Sequence, residues 1–593
     1  MHTKFKRAIF LILTVALLAT AGGMMDPIQR QREKYKLGST PVKGVSPELA
    51  IATQALGAFR GIMLDLVWIR LQHLKREGRF FEMVQLSDWA CKLAPRFPKI
   101  WQFHSWNLGY NVSVEISYLP DRWSWVKSSI EILRDEAIPK NPDNPELYNA
   151  LAQLYLVKVA GRKDDAHIIY KSELGARMHE VLDGRGKPEK LKEFAAAPRT
   201  EKELMQDSSV KKLVEECRSQ EFDPLSTDNY FGWLNNPDSI DEEISDLLGS
   251  ESYAQAMTKI DTFVRARRLR EEMKLEPDRM LKMMRSYSGD EREYVPFDWR
   301  SPYPHSIYWA TRARDKAHEV LSALFEKRQE FGITPEELTK KLEDRPEWIY
   351  RDIDYDRIIY SSFKDLIRHG RLVFSSDGRL LPVFGPNYKF ADAMMGIYEM
   401  MLDKYGGSLF ADGIHSSRKN FLHRMAVESY MMGDQGNAVS YWKKLKKMYP
   451  EASPQDAFPQ FISVAMDQWV KDMDQSDARR LVRGLLTRSF VMWGSNANER
   501  AAQLQAKAQR LTKEWNKGAD TARWRIPYND IRESILIDIF SGRIKLADPI
   551  MKNLKDHLGE QTVQKFEGAA KQQPRQMIPP QLQDRFKYAP QDE

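Results

Sequence analysis

Cysteine is nearly absent from this chain. Two thiols in 593 residues, Cys91 and Cys217, cannot build a four-thiolate zinc site or a Cys-x-x-C redox pair, and a disulfide-stapled scaffold is excluded. Charge of one sign is also scarce: 90 Lys and Arg against 83 Asp and Glu leave +7 on 69.0 kDa. So small an excess does not mark a nucleic-acid binder, and no nucleic acid is expected as a partner; an acidic partner or an anionic membrane surface stays open. A mean hydropathy of -0.56 rules out a multi-span membrane protein, and 15 Trp are too many for a disordered chain. The chain has no H-E-x-x-H, G-x-x-x-x-G-K-[ST] or G-x-G-x-x-G, which removes the main support for metalloprotease, P-loop and dinucleotide chemistry. No metal and no cofactor is therefore expected.

The features that are present begin at the first residues. Lys4, Lys6 and Arg7 precede an uncharged apolar run over residues 8–25, the order of an export signal. Eighteen residues are just enough to span a bilayer, while Ala19-Thr20-Ala21 offers an A-x-A cleavage site. Residues 1–25 are expected to remain as a membrane anchor; the alternative is a signal peptide removed near Ala21. Residues 26–46, rich in charge, Gly and Pro, read as a stalk. A second apolar stretch, 49–71, carries Arg60, Asp65 and Arg70, too costly for a membrane span, and reads as a buried helix.

From Pro47 onward apolar residues recur at three- and four-residue steps: Leu64, Trp68 and Leu71, then Val84, Trp89 and Leu93, then Trp101, Trp106 and Tyr110. This spacing predicts a run of packed helices. A longer period is also visible. Gly78, Met83, Ala90 and Pro95 stand at the same offsets as Gly433, Ala438, Leu445 and Pro450, and the six-residue step from Pro95 to Trp101 recurs from Pro142 to Tyr148. Glycine releases the first helix into a tight turn, a small residue lets the second approach closely, and proline stops the second. These residues resemble the tetratricopeptide repeat, a 34-residue pair of antiparallel helices. The first block also resembles exported bacterial tetratricopeptide-like proteins without an assigned activity.

The resemblance implies an all-α, tetratricopeptide-like helical-repeat solenoid, with repeats over 47–184 and 412–520. Residues 185–300 interrupt it as a charged insertion, opened by Gly184, Gly186 and Pro188 and expected to hold short helices. Residues 301–411 form a helical segment in which Asp377-Gly378 signals a minor β-hairpin near 372–384. Residues 521–593 are C-terminal helices and a Gln- and Pro-rich tail.

The resemblance also implies an inner groove lined at fixed offsets from the aromatic landmarks Trp101 and Tyr148, which are Gln102, Trp106, Asn149 and Gln153 in this chain. Asn and Gln amides can both donate to and accept from an extended peptide, while Trp stacks on a side chain. The expectation is a non-enzymatic scaffold for protein or peptide partners in the cell envelope, held in a bacterial inner membrane with its soluble part on the periplasmic side. After cleavage it would be secreted or periplasmic. The alternative is an envelope enzyme with an acid/base site around Asp298 and His305, next to Arg300, Trp299, Tyr303 and Trp309. Asp352, Asp354 and Asp356 begin like a calcium loop, but Arg357 and Phe363 occupy the positions that need Gly and Glu, leaving a solvated helix start. Ser361 with Lys364 and Ser416 with Lys419 match a serine-lysine pattern that lacks its K-T-G partner. Lys443, Lys444, Lys446 and Lys447 read as a solubilising face.

Overall fold

The computed structural model describes residues 20, 59–288, 293–330, 347–373, 383–453, 457–472, 475–518, 525–542, 544 and 546–572. The fold is all-α. Two compact units can be told apart: residues 59–104 with 135–142, and residues 105–134 with 143–572. Apart from Thr20, the apolar run 8–25 lies outside the described residues, as do the stalk and the tail beyond 572. Among the described residues no helix is long and apolar enough to cross a membrane.

The first unit is built on the helices Phe59–Arg76 and Phe80–Leu93, whose inner faces bury Leu71, Leu74 and Met83 against Val67, Phe80, Leu86 and Phe103. Trp101 donates its indole N–H to the Pro95 carbonyl at 2.9 Å, and Asn141 donates to the same oxygen at 2.8 Å. Of the stretch 49–71 read as a buried helix, residues 49–58 lie outside the described residues, and the part that follows is buried on one stripe only. Ile62, Leu66 and Ile69 are 58%, 61% and 64% exposed, because the apolar residues run around the helix while Phe80–Leu93 and Phe103 pack on one side.

In the second unit the 185–300 region is more helical than its composition suggested. It holds the helices Pro188–Ala196, Ser208–Ser219, Thr227–Asn235, Ala254–Glu271 and Pro277–Ser286. Its own apolar cluster includes Val210, Leu213, Val214, Phe231, Ile260 and Phe263. Short polar side chains begin these helices: Asp207 accepts from the Ser209 and Val210 amides, and Ser226 from the Asn229 amide. The helix Pro302–Glu330 packs on Pro145–Gln153 and on Glu347–His369, and a buried chain of hydroxyls, Ser362 to Ser306 to the Ala152 carbonyl, joins the three. Arg371–Val373 and Val383–Gly385 pair antiparallel with Leu372 opposite Phe384; the Asp377-Gly378 turn lies outside the described residues.

Three helix pairs share one device. Phe59–Arg76 with Phe80–Leu93, Ala411–Met431 with Gln435–Met448, and Gln475–Gly494 with Asn498–Lys517 each turn through a residue at positive φ: Gly78 at 71°, Gly433 at 77° and Asn496 at 58°. In each, the next amide donates to the carbonyl four residues before that position: Arg79 to Leu74 at 3.0 Å, Asp434 to Ser429 at 2.9 Å, Ala497 to Met492 at 2.8 Å. Five and twelve residues beyond the turn the side chains are sealed: Met83 and Ala90, Ala438 and Leu445, Ala501 and Ala508. Asn is the commonest substitute for Gly in the left-handed region, so the third pair obeys the rule without its glycine.

The aspartates of residues 352–356 do not form a solvated helix start. Asp356 is fully buried and accepts from Arg314 Nη1 at 2.9 Å, Lys404 Nζ at 3.0 Å and the Tyr405 hydroxyl at 2.7 Å, while Asp352 accepts from Lys404 at 2.7 Å and His318 at 2.8 Å. Only Asp354 faces solvent. The period-3.6 pattern that exposes Asp354 turns Asp356 inward, and two cations offset the cost of its desolvation.

Ala438→Leu and Ala501→Leu should each cost about 1–3 kcal/mol by overpacking, read as a fall in the thermal midpoint; an unchanged midpoint would mean that the paired helices do not touch there. Asp356→Asn should cost about 2–4 kcal/mol in chemical denaturation, below the value for a fully sealed pair because Lys404 stays 31% exposed.

Candidate functional site

The helix Pro145–Gln153 is capped by Asn144, which accepts from the Leu147 amide, and starts with Pro145. It runs into a π-helical turn, Leu154–Val159, just as Pro98–Trp106 runs into Asn107–Val112. Each π turn carries one extra residue and re-aims the side chains beyond it. The two turns pack on each other, and Gly109 permits it: a Cβ there would meet Ser129 Oγ at 2.9 Å and Leu154 Cδ2 at 3.3 Å. Lys158 points inward from the second turn. Its ammonium sits 2.5 Å from Asp164 and lies over the rings of Tyr110 and Tyr170. Burial raises the Asp164 carboxyl, but hydrogen bonds from Lys158, the Ala166 amide and Tyr170 outweigh it and hold the group below the usual carboxylate range.

On the outside of these elements lies the candidate surface. Trp106 is 46% exposed and stacks on Tyr110 at 5.2 Å and 22°. Gln153 is exposed, as are the apolar Val114, Tyr118 and Val157 on neighbouring stretches of the chain. Of the four residues expected to line a groove, Trp106 and Gln153 therefore stand on the surface of elements whose π turns adjoin. Asn149 is half-buried with its Oδ1 sealed and without a hydrogen bond. Gln102, also half-buried, belongs to the first compact unit. Val114, Tyr118 and Val157 escaped the sequence reading because an apolar residue at helical spacing reads as core unless its exposure is known.

The turn around Asp298 is built differently from an acid/base site. Asp298 takes Nε and Nη2 of Arg300 at 2.9 Å each, with the Arg300 amide at 3.1 Å. His305 is instead paired with the Trp299 carbonyl at 2.8 Å and stacked on Tyr155 at 5.0 Å. Burial drives its pKa down to about 4, so the ring is neutral and Nε2–H is the donor. No hydrogen bond joins Asp298 to His305. Trp299, Tyr303 and Trp309 are all sealed around them. A buried lysine, Lys171, lies 3.0 Å from His167 Nδ1 and 3.1 Å from the Gly161 carbonyl, and burial together with Arg162 pushes it down to about 7. At 4% exposure its amine is closed to a substrate. Neither serine-lysine pair is joined by a hydrogen bond, and among the described residues no group of three or more His, Cys, Asp or Glu can hold a metal ion.

Because His305 is neutral when folded and has an ordinary pKa near 6.5 when unfolded, the unfolded chain binds the extra proton between about 4 and 6.5. The stability from this group is complete above about 6.5 and is lost as the pH falls toward 4. His305→Gln, which keeps an N–H donor, should lower the slope of unfolding free energy against pH in that window by about one proton equivalent, measured by denaturant titration at several pH values. No family model, curated protein or solved structure matches the chain, which leaves its geometry to speak for its function.

Proposed function

We propose that this chain is a membrane-tethered, exported, tetratricopeptide-like scaffold that binds protein or peptide partners through the surface around Trp106 and Gln153. The observation that carries the reading is the recurrent hairpin at Gly78, Gly433 and Asn496, with its sealed residues at +5 and +12. A solenoid of such pairs presents helix faces side by side, and extended segments bind there through backbone amides and side-chain stacking. Trp106 offers a large, rigid contact at small entropic cost, and Gln153 both donates and accepts. The basic n-region and the 18-residue apolar run support the tether.

The test uses the full chain extracted in mild detergent and immobilised. Proteins retained by the wild type are compared with those retained by Trp106→Ala/Gln153→Ala. The double variant should lose its principal partner by about tenfold or more, the loss expected from one anchoring aromatic and one hydrogen bond, with its melting midpoint unchanged. Identical retention would remove this surface as the binding site, and a mature N-terminus at Gly22 would remove the tether.

A further inference from the structure

The exposed apolar side chains are unevenly spread. Among the described residues, seven of the fourteen large hydrophobics left exposed fall in residues 59–104: Ile62, Leu66, Trp68, Ile69, Phe81, Trp89 and Phe97. Three of them share one face. At 100° per residue Ile62, Leu66 and Ile69 lie within about 60° of one another, whereas the buried Leu71 lies on the opposite side and Leu74 about 110° around from their centre. By the same rotation Arg70 and Arg76 flank that face and Asp65 stands beside it, while Lys75 falls on the far side. Apolar residues on one face with cations flanking it are features of a helix that lies in a membrane interface.

Chain length names the occupant. Residues 26–58, thirty-three in all, separate the apolar run from Phe59, a length that extends at most about 110–120 Å. A tethered protein thus meets its own bilayer at high effective concentration, so that a weak apolar contact suffices.

We propose that the face of the Phe59–Arg76 helix bearing Ile62, Leu66 and Ile69 rests on the lipid surface, its apolar side chains among acyl chains and Arg70 and Arg76 at the headgroups. This rests on the tether proposed above. It makes the first unit a membrane-apposed foot.

The native thiols permit a direct test, since Cys91 and Cys217 are free and buried and burial raises both, which slows their labelling. Leu66→Cys and, as an aqueous reference, Leu409→Cys, at a position 90% exposed, are made in the full chain. Each is labelled with an environment-sensitive fluorophore and reconstituted into phosphatidylcholine–phosphatidylglycerol vesicles with or without spin-labelled lipid. Flotation of the chain with the vesicles reports the tether separately. The expected result is a blue-shifted probe at position 66, with a quenching slope about threefold or more above that at position 409. In a chain that floats, equal slopes or a water-like spectrum at position 66 would overturn the proposal. So would a blue shift without quenching that grows with protein density, which would assign the face to a second copy. A chain that does not float would overturn the tether, and the foot with it.

Discussion

A carboxylate with no solvent is the constraint on which the second unit turns. Asp356 stands on Glu347–His369 and is held by Arg314 from Pro302–Glu330 and by Lys404 and Tyr405 from Ala391–Tyr405. Three helices must therefore arrive in one register for a single buried charge to be neutralised. Apolar packing alone tolerates small slides between helices; an ion cluster at 2.7–3.0 Å does not. Its contribution is better described as fixing the arrangement than as adding stability, because desolvation offsets much of the Coulomb attraction.

Much of the helical layout was legible from apolar spacing, and two hairpins were legible because glycine is the cheapest residue at positive φ. The third was hidden by one substitution: Asn496 does the work of glycine, and Lys513 stands where the other two pairs have Pro95 and Pro450, so the last helix continues to Lys517. Asp356 was misread for another reason. A carboxylate beside two others looks solvated in one dimension, and only the arrival of Arg314 and Lys404 from distant sequence makes its burial tolerable.

The candidate surface was half legible. Fixed offsets from Trp101 and Tyr148 reached Trp106 and Gln153, which are exposed, and also Gln102 and Asn149, which are half-buried. Both landmarks are buried, so at 100° per residue the next residue stands at the margin of the buried side while the fifth is turned about 140° from it, toward solvent. The sequence around Asp298 misled in the opposite sense. Its aromatic density suggested a pocket, yet the rings of Tyr155, Trp299 and Tyr308 fill the space around His305 and Trp299 themselves.

The two cysteines, so uninformative as chemistry, divide the molecule in a useful way. Cys91 belongs to the first compact unit and Cys217 to the second, and each is sealed in its own core. Neither thiol can be trapped until the structure around it opens. The rates at which an alkylating reagent captures each residue therefore measure two local opening equilibria in one sample, so the order in which the units loosen under denaturant is recorded by mass alone.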